Sequence, residues 1–289
     1  MTDTAVRDEI VVGIDPREQS VPALAWAVDE AGRRGLSLRL VMGVPPVQGG
    51  QHVDAPYRRT MFRARGENAL DEAAATVRAL SADVPVTTGL LDGVPSAVLC
   101  GQAARARMIV LGSRRLSRAE EIFRSGSMAV PVSARANCPV VVVREPEATD
   151  VRPPRLVVGV DGSVASRAAA AYAMEEAALR GAVLHVLWVW RRPVVPFTDE
   201  EAGLTERRRL LAETLAGLAE RQPDVRVSQD VVRGHPVEVL ALASVDAAAV
   251  VVGRHGRGGY TGMRLGSVPH GLLHRAECPV ITVPGAWDD

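Results

Sequence analysis

The sequence predicts two α/β domains in tandem, each doubly wound around a five-stranded parallel sheet with helices on both faces. Three observations predict this fold class. The chain of 289 residues has room for two domains of ordinary size. Its two halves repeat one another. Within each half, short β-branched runs without polar alternation are separated by helical stretches, a pattern typical of parallel strands that are covered on both faces.

The internal repeat is clearest at the start of each half. Residues 10–35, IVVGIDPREQSVPALAWAVDEAGRRG, align without a gap with residues 156–181, LVVGVDGSVASRAAAAYAMEEAALRG, and 12 of the 26 positions are identical. Both halves also end alike, in RANCPV (135–140) and RAECPV (275–280). A repeat period this long indicates a duplicated domain, since solenoid units span only about 20–50 residues.

The linker between the halves is 145–155, EPEATDVRPPR, which combines three prolines with mixed charge. We therefore predict domains at 1–146 and 153–289. In the second domain the predicted strands are 156–160, 183–190, 225–232, 248–252 and 279–283. The predicted helices are 166–180 with Ser166 as N-cap, 199–221, one that begins at Pro236, and one after Ser267.

Composition excludes several function classes. The 34 basic and 34 acidic residues cancel, so no general attraction to nucleic acid or to an anionic membrane is expected. The sequence contains no lysine, which excludes a Walker A loop and a Schiff-base lysine and disfavours a receiver-type phospho-switch.

The cysteines and the apolar runs bear on location. Three cysteines without a C-x-x-C pair indicate buried thiols in a reducing compartment. The N-terminal residues show no signal pattern, and the apolar runs are too short to span a bilayer. We expect a cytoplasmic protein.

The loop after Val252 carries the chemistry. It reads Gly253-Arg254-His255-Gly256, then nine residues, then Gly266-Ser267 and a helix. Glycine lets backbone N–H groups turn toward an anion, and the helix N-terminus adds unpaired N–H groups. Each backbone hydrogen bond to a charged phosphate contributes about 1.5–3 kcal/mol, whereas the helix dipole adds about 0.3–1 kcal/mol. The loop therefore predicts a phosphate site, held mainly by amides.

Asp161 follows the first strand of the second domain. In an open parallel sheet, ligands bind beyond the carboxyl ends of the strands where the strand order reverses. If strands one and four are neighbours there, Asp161 and the glycine loop face one crevice, and the carboxylate can accept hydrogen bonds from ribose hydroxyls. A Rossmann G-x-G-x-x-G would follow the first strand, and VGVDGS lacks it.

These residues resemble the universal stress protein family. Its ATP-binding members carry G-x2-G-x9-G-[ST], and Gly253, Gly256, Gly266 and Ser267 fit that spacing. The segment VGVDGS at 158–163 and the C-P-V start of the last strand match as well. The resemblance covers nearly the whole chain, in two copies, as in tandem actinobacterial members.

The resemblance implies the strand order 3-2-1-4-5 and bound ATP, with Mg²⁺ held mainly by the phosphates. It implies that Asp161 contacts ribose and that the region of Val186 meets adenine. It also implies that the final strands, 139–143 and 279–283, pair within one chain as an intrachain pseudo-dimer; homodimers are common in the family. The implied nucleotide-binding residues of the second domain are Gly159, Asp161, Val186, Val252, Gly253, His255, Gly256, Gly266, Ser267 and Val268.

The first domain departs from the family pattern. Its corresponding residues are Asp15, Gly112, Gly126 and Ser127, but Arg115 stands where the second glycine belongs, and ten residues rather than nine precede Gly126. If that position needs a left-handed backbone, Arg costs about 1–2 kcal/mol, or roughly tenfold in affinity. We expect the first site to bind ATP more weakly than the second, or not at all.

Three functions stay open. The leading expectation is an ATP-binding sensor or regulator in the stress response, without catalytic residues. A second is a slow ATPase or a nucleotidyl transferase of the related PP-loop group, although no S-G-G-x-D-S type loop follows strand one. A third is an interaction scaffold that needs no nucleotide. His270 and His274 are four apart on a helix, but no third ligand is evident, so no metal site is predicted.

Overall fold

The structure, a computed structural model, describes residues 7–17, 20–46, 55–113, 128–144, 153–191, 200–256, 265–285 and 287. The chain divides into two compact units, Met1–Glu145 and Pro146–Asp289. The predicted tandem architecture is confirmed, and each unit is an α/β domain of its own.

The first unit alternates strands and helices along the chain. Its strands are β1 (Glu9–Gly13), β2 (Ser37–Val44), β3 (Val86–Asp92), β4 (Ala106–Gly112) and β5 (Val140–Val143). Its helices are α1 (Val21–Arg34), α2 (Ala55–Leu80), α3 (Pro95–Gln102) and α4 (Ala129–Arg135). All strand pairs are parallel, in the order β3-β2-β1-β4-β5.

The second unit repeats this plan. Its strands are β6 (Arg155–Val160), β7 (Val183–Trp190), β8 (Val227–Arg233), β9 (Ala249–Gly253) and β10 (Val280–Val283). Its helices are α5 (Val164–Arg180), α6 (Glu200–Arg221), α7 (Pro236–Ala243) and α8 (Ser267–Arg275). The parallel order is β8-β7-β6-β9-β10, so the predicted order 3-2-1-4-5 is confirmed in both units.

The helices cover both faces of each sheet. In the first unit α1 packs against α2, and α3 packs against α4; in the second, α5 packs against α6, and α7 against α8. The central strands are therefore largely buried, and in β9 all five residues from Ala249 to Gly253 are buried. Burial on both faces explains why these strands show no polar alternation in the sequence.

The start of α5 differs from the expectation. Its N-cap is Ser163, whose Oγ accepts the backbone N–H of Ser166 at 3.1 Å, so the helix begins two residues before the predicted start. Ser166 lies inside the first turn, and its hydroxyl donates to the Ser163 carbonyl at 3.0 Å. In α1 the equivalent serine, Ser20, is the N-cap, so the prediction fits the first copy of the repeat and not the second.

A smaller difference occurs at α8. Gly266 is the N-cap, with φ −67° and ψ 160°, and Ser267 is the first helical residue. The Ser267 hydroxyl therefore lies one position too far along the chain to cap the helix and is left for another partner.

Candidate functional site

A cleft lies beyond the carboxyl ends of β6 and β9. These two strands are adjacent, and the strand order of the second sheet reverses between them. The volume of the cleft is about 230 Å³. Asp161 and the loop after β9 both line it. The described lining residues are Gly159, Val160, Asp161, Ser166, Leu187, Val189, Pro236, Leu240, Val252, Gly253, His255, Gly256, Gly266, Ser267, Val268 and Pro269.

Asp161 sits in a tight turn between β6 and α5. Its Oδ1 accepts the backbone N–H of Ser163 at 3.0 Å, which fixes the carboxylate two residues before the helix. Gly162 supplies the left-handed conformation of this turn, with φ +79°, and a Cβ there would stand 2.9 Å from the Trp188 ring. The half-buried carboxylate is thus held in place by its own loop.

Gly256 lies directly against that carboxylate. A Cβ on Gly256 would stand 2.5 Å from Oδ2 of Asp161, closer than any side chain can approach. Its φ is outside the left-handed range, which among described glycines is adopted by Gly35, Gly93, Gly162 and Gly181. The condition of a left-handed backbone is therefore not met at Gly256, where a side chain would instead collide with the Asp161 carboxylate.

The Ser163 hydroxyl connects the turn after β6 with the turn after β9. Ser163 Oγ lies 3.5 Å from the backbone oxygen of His255, at the outer limit of a hydrogen bond. The N-cap of α5 is thus in contact with the turn that follows β9.

The amides of the loop divide into two groups. The N–H of Arg254 donates to the Val283 oxygen at 2.8 Å, and that of Gly266 donates to the Arg254 oxygen at 2.9 Å, so both hold the loop itself. Ser267 and Val268 occupy the first turn of α8, where backbone N–H groups have no partner within the helix. Pro269 has no N–H to offer. The Gly266 amide is therefore used within the loop, whereas Ser267 and Val268 line the cleft with first-turn amides that have no partner within the helix.

Gly253 and Gly159 lie where helices pack closely against the strand ends. A Cβ on Gly253 would stand 2.6 Å from the backbone carbon of Ala165, because the start of α5 lies against the end of β9. A Cβ on Gly159 would stand 2.8 Å from a methyl of Leu240 on α7. Both glycines let helices close over the strand ends and so shape the cleft.

The apolar part of the cleft comes from β7 and α7. Leu187 and Val189 of β7 and Leu240 of α7 line it, together with Pro236. Val186 is fully buried, and among the described lining residues its neighbour Leu187 takes that place. Side chains alternate between the faces of a strand, so a position one residue away points to the opposite side. Leu187 and Val189 share one parity along β7 and Val186 has the other, but both faces of the strand are largely apolar, so the sequence alone does not single out the cleft-facing set.

The first domain keeps only part of this arrangement among the described residues. Asp15 is exposed and accepts the backbone N–H of Arg17 at 2.9 Å, which repeats the turn of Asp161. Gly112 ends β4, and a Cβ there would stand 2.2 Å from Cβ of Ser20, the N-cap of α1. Gly126, Ser127 and Arg115 lie outside the described residues.

Other candidate chemistry is sparse in the part of the chain that the structure describes. The rings of His270 and His274 meet edge to face, with centroids 4.8 Å apart, and both side chains are exposed. No group of three or more His, Cys, Asp or Glu residues that could hold a metal ion occurs among the described residues. None of the described helices is both long enough and apolar enough to cross a membrane.

The cysteines are free thiols of two kinds. Cys138 and Cys278 are buried, and Cys100 is half-buried. Burial raises the pKa of Cys138 from 9.0 to about 12, and burial raises that of Cys278 to about 12 as well. Both stay protonated at neutral pH, which makes them poor nucleophiles.

Comparison with known proteins identifies the family of the chain. The model of the universal stress protein family matches residues 7–144 and 154–284. The chain is 36% identical over 291 residues to universal stress protein Rv2005c of Mycobacterium tuberculosis, covering 94% of this chain and 95% of the relative. It is 35% identical over 295 residues to a universal stress protein of Mycolicibacterium smegmatis, covering 98% and 99%.

Solved structures agree on the fold. A universal stress protein from Archaeoglobus fulgidus superimposes with a TM-score of 0.75 over 96% of this chain and 97% of its own, at 19% identity. That identity speaks for the fold alone. The family model spans both domains and the mycobacterial relatives align along nearly their whole length. The chain therefore belongs to the universal stress protein family.

Proposed function

We propose that the second domain, 153–289, binds ATP and that the protein acts as a cytoplasmic sensor or regulator in the stress response. One observation carries the proposal: the carboxylate that follows β6 and the glycine loop that follows β9 line the same cleft. A carboxylate beside amide donors and an apolar wall matches the three parts of a nucleotide, namely ribose, phosphates and base.

The phosphate end of the ligand is assigned to α8. The first-turn amides of Ser267 and Val268 point at an anion along the helix axis, and the exposed Ser267 hydroxyl can donate a further hydrogen bond. The Gly256 backbone completes the cradle, since a side chain there would fill it. His255 lies in the same turn and is the candidate for a side-chain contact.

The ribose is assigned to Asp161. An ionised carboxylate has about four lone-pair sites, and the Ser163 amide occupies one of them. Capacity therefore remains for two ribose hydroxyls. The base is assigned to the apolar wall of Leu187, Val189 and Leu240, which extends the expectation for the Val186 region to its cleft-facing neighbours.

A divalent cation such as Mg²⁺ would be held mainly by the phosphates. Asp161 is the one carboxylate among the described lining residues, and its position suits ribose rather than a full cation shell. ATP supplies phosphate oxygens, which are the ligands Mg²⁺ prefers. No catalytic residue is assigned.

The first domain is proposed to bind ATP weakly or not at all. Arg115 aligns with Gly256, where even a single Cβ would reach the carboxylate of the acid after the first strand. Pairing of the two final strands within the chain, and a homodimer, are further parts of the proposal that the family resemblance suggests.

Mass spectrometry of the purified and then denatured protein tests this function. Co-purified ATP supports nucleotide binding, ADP indicates a slow ATPase, and the absence of any nucleotide supports a scaffold.

Gly266→Glu should abolish ATP binding in the second domain, because its carboxylate would stand at the phosphate end of the site. Gly217→Glu is the matched control, since a Cβ at that helix position meets nothing within 4 Å. ATP retained by Gly266→Glu would show that the site lies elsewhere.

A further inference from the structure

Helix α2 of the first domain exposes two large side chains on one side. Tyr57 is 68% exposed and Met61 is 43% exposed, so both leave apolar atoms in contact with water. Both lie on the same side of the helix, one turn apart. The exposed apolar atoms make this face a candidate contact surface.

The opposite side of the helix is firmly attached to the sheet. Arg59 and Arg63 donate to the carboxylate of Asp92 at the end of β3, at 3.0 and 3.2 Å. Gly66 is buried where a Cβ would stand 2.7 Å from Leu90. The helix is therefore held in a fixed rotation, with Tyr57 and Met61 pointing away from the domain.

The outward positions follow one regular spacing. They recur at alternating intervals of four and three residues, the spacing of helices that pack along a common seam. All of them are exposed. The positions, called here the α2 seam, are Tyr57, Met61, Ala64, Asn68, Asp71, Ala75 and Arg78.

The two halves of the seam complement each other in size and charge. The large side chains, Tyr57 and Met61, lie in the first half, and the small Ala75 lies in the second. Arg65 flanks the first half of the seam, whereas Asp71 lies in the second half and Glu72 flanks it, and all three side chains are exposed. A surface whose halves complement each other fits a second copy of itself across a twofold axis.

We propose that the α2 seam is a homodimer contact, in which α2 pairs antiparallel with α2 of a second copy about a twofold axis at Asn68. In this register Met61 packs over Ala75 of the partner copy, and Tyr57 stacks on Arg78 of the partner copy. Arg65 and Glu72, which flank the seam on one side, form two symmetric ion pairs. With a polar Asn68 and Asp71 in the seam, the contact is a weak, salt-sensitive one.

Sedimentation velocity over a dilution series tests the contact. The wild-type protein should associate as its concentration rises, and added salt should weaken the association. Because the twofold axis repeats the pair, Arg65→Glu or Glu72→Arg alone replaces two ion pairs by two repulsive contacts. Either variant should raise the dissociation constant at least about tenfold. The double variant Arg65→Glu/Glu72→Arg restores both pairs and should recover the wild-type association.

The charge-swap rescue separates this contact from a contact through any other surface. Arg208→Glu, an exposed position on α6 of the other domain, is the control and should change nothing. Circular dichroism of each variant checks that α2 remains folded. A species of constant mass at all concentrations overturns the proposal. Association that both single variants leave unchanged, or that the double variant fails to recover, overturns it equally.

Discussion

Gly256 lies against Asp161 in the lining of the second domain's cleft: a Cβ on Gly256 would stand 2.5 Å from Oδ2 of Asp161. Nearly a hundred residues separate the two positions in the chain, and they meet because β6 and β9 are adjacent parallel strands. The contact joins the turn proposed to hold ribose to the loop proposed to hold phosphate. A substitution at either residue should therefore weaken contacts to both the ribose and the phosphates of the ligand.

Gly256→Ala tests this contact. The methyl group would displace the carboxylate, so ATP affinity should fall about tenfold or more, while the unfolding free energy should change little because the backbone is not left-handed. Isothermal titration and urea unfolding measure the two quantities.

Gly181→Ala is the matched control for that variant. Gly181 has φ +58° at the C-cap of α5, and a Cβ added there would meet nothing within 4 Å, so alanine should cost about 1 kcal/mol of stability and leave ATP affinity unchanged. If Gly256→Ala behaved like Gly181→Ala, the steric account of Gly256 would be refuted.

Gly253→Ala should destabilise the second domain. Its Cβ would stand 2.6 Å from the backbone of Ala165, and a backbone cannot move aside as a side chain can, so a cost of about 1–3 kcal/mol is expected in urea unfolding. Gly217→Ala, in the open middle of α6, should instead stabilise by about 0.5–1 kcal/mol. Equal effects of the two changes would contradict the packing argument.

Ser163→Ala should weaken α5 through loss of its N-cap. The expected cost is about 0.5–2 kcal/mol in the free energy of unfolding. Ser166→Ala removes a hydroxyl that bonds only within the first turn and should cost less. If Ser166→Ala lowered the free energy of unfolding more than Ser163→Ala, Ser166 would be the N-cap, as the alignment of the two repeats suggests.

These caps illustrate what the sequence can and cannot specify. Strand and helix identities follow from apolar runs and turn residues, and β7 and the start of α7 lie where the sequence predicts them. The start of α5 does not, because Gly162 can adopt a positive φ and Pro16, its equivalent in the first domain, cannot. The helix can therefore begin earlier in one copy than in the other, a difference that an alignment of the two copies hides.

The site shows the same division. Glycine spacing and the position of Asp161 predict which loops come together, since parallel strands end at one edge of the sheet. Side-chain direction is harder to predict: β7 is apolar on both faces, so nothing in its composition distinguishes Val186 from Leu187. The reason for Gly256 could not be inferred either, because it depends on a neighbour that is distant in sequence.

Thiol reactivity gives a pH-dependent prediction. Because burial raises the pKa of Cys138 and Cys278 from 9.0 to about 12, both should resist alkylation in the folded protein at pH 9, where the half-buried Cys100 should react first. A raised pKa contributes stability that is complete below pH 9 and is lost as the pH rises toward 12. Peptide mapping after timed alkylation measures the order, and equal rates at all three cysteines would contradict it.

The proposed function requires ATP to bind in the cleft of the second domain that Asp161 and the glycine loop line together. Isothermal titration of ATP with Mg²⁺ into the wild-type protein, Asp161→Ala and Asp15→Ala tests it most directly. Asp161→Ala should lower the affinity of the dominant site at least about tenfold, since it removes hydrogen bonds to a charged group, and Asp15→Ala should leave that site unchanged. Equal losses in the two variants, or full affinity in Asp161→Ala, would contradict it.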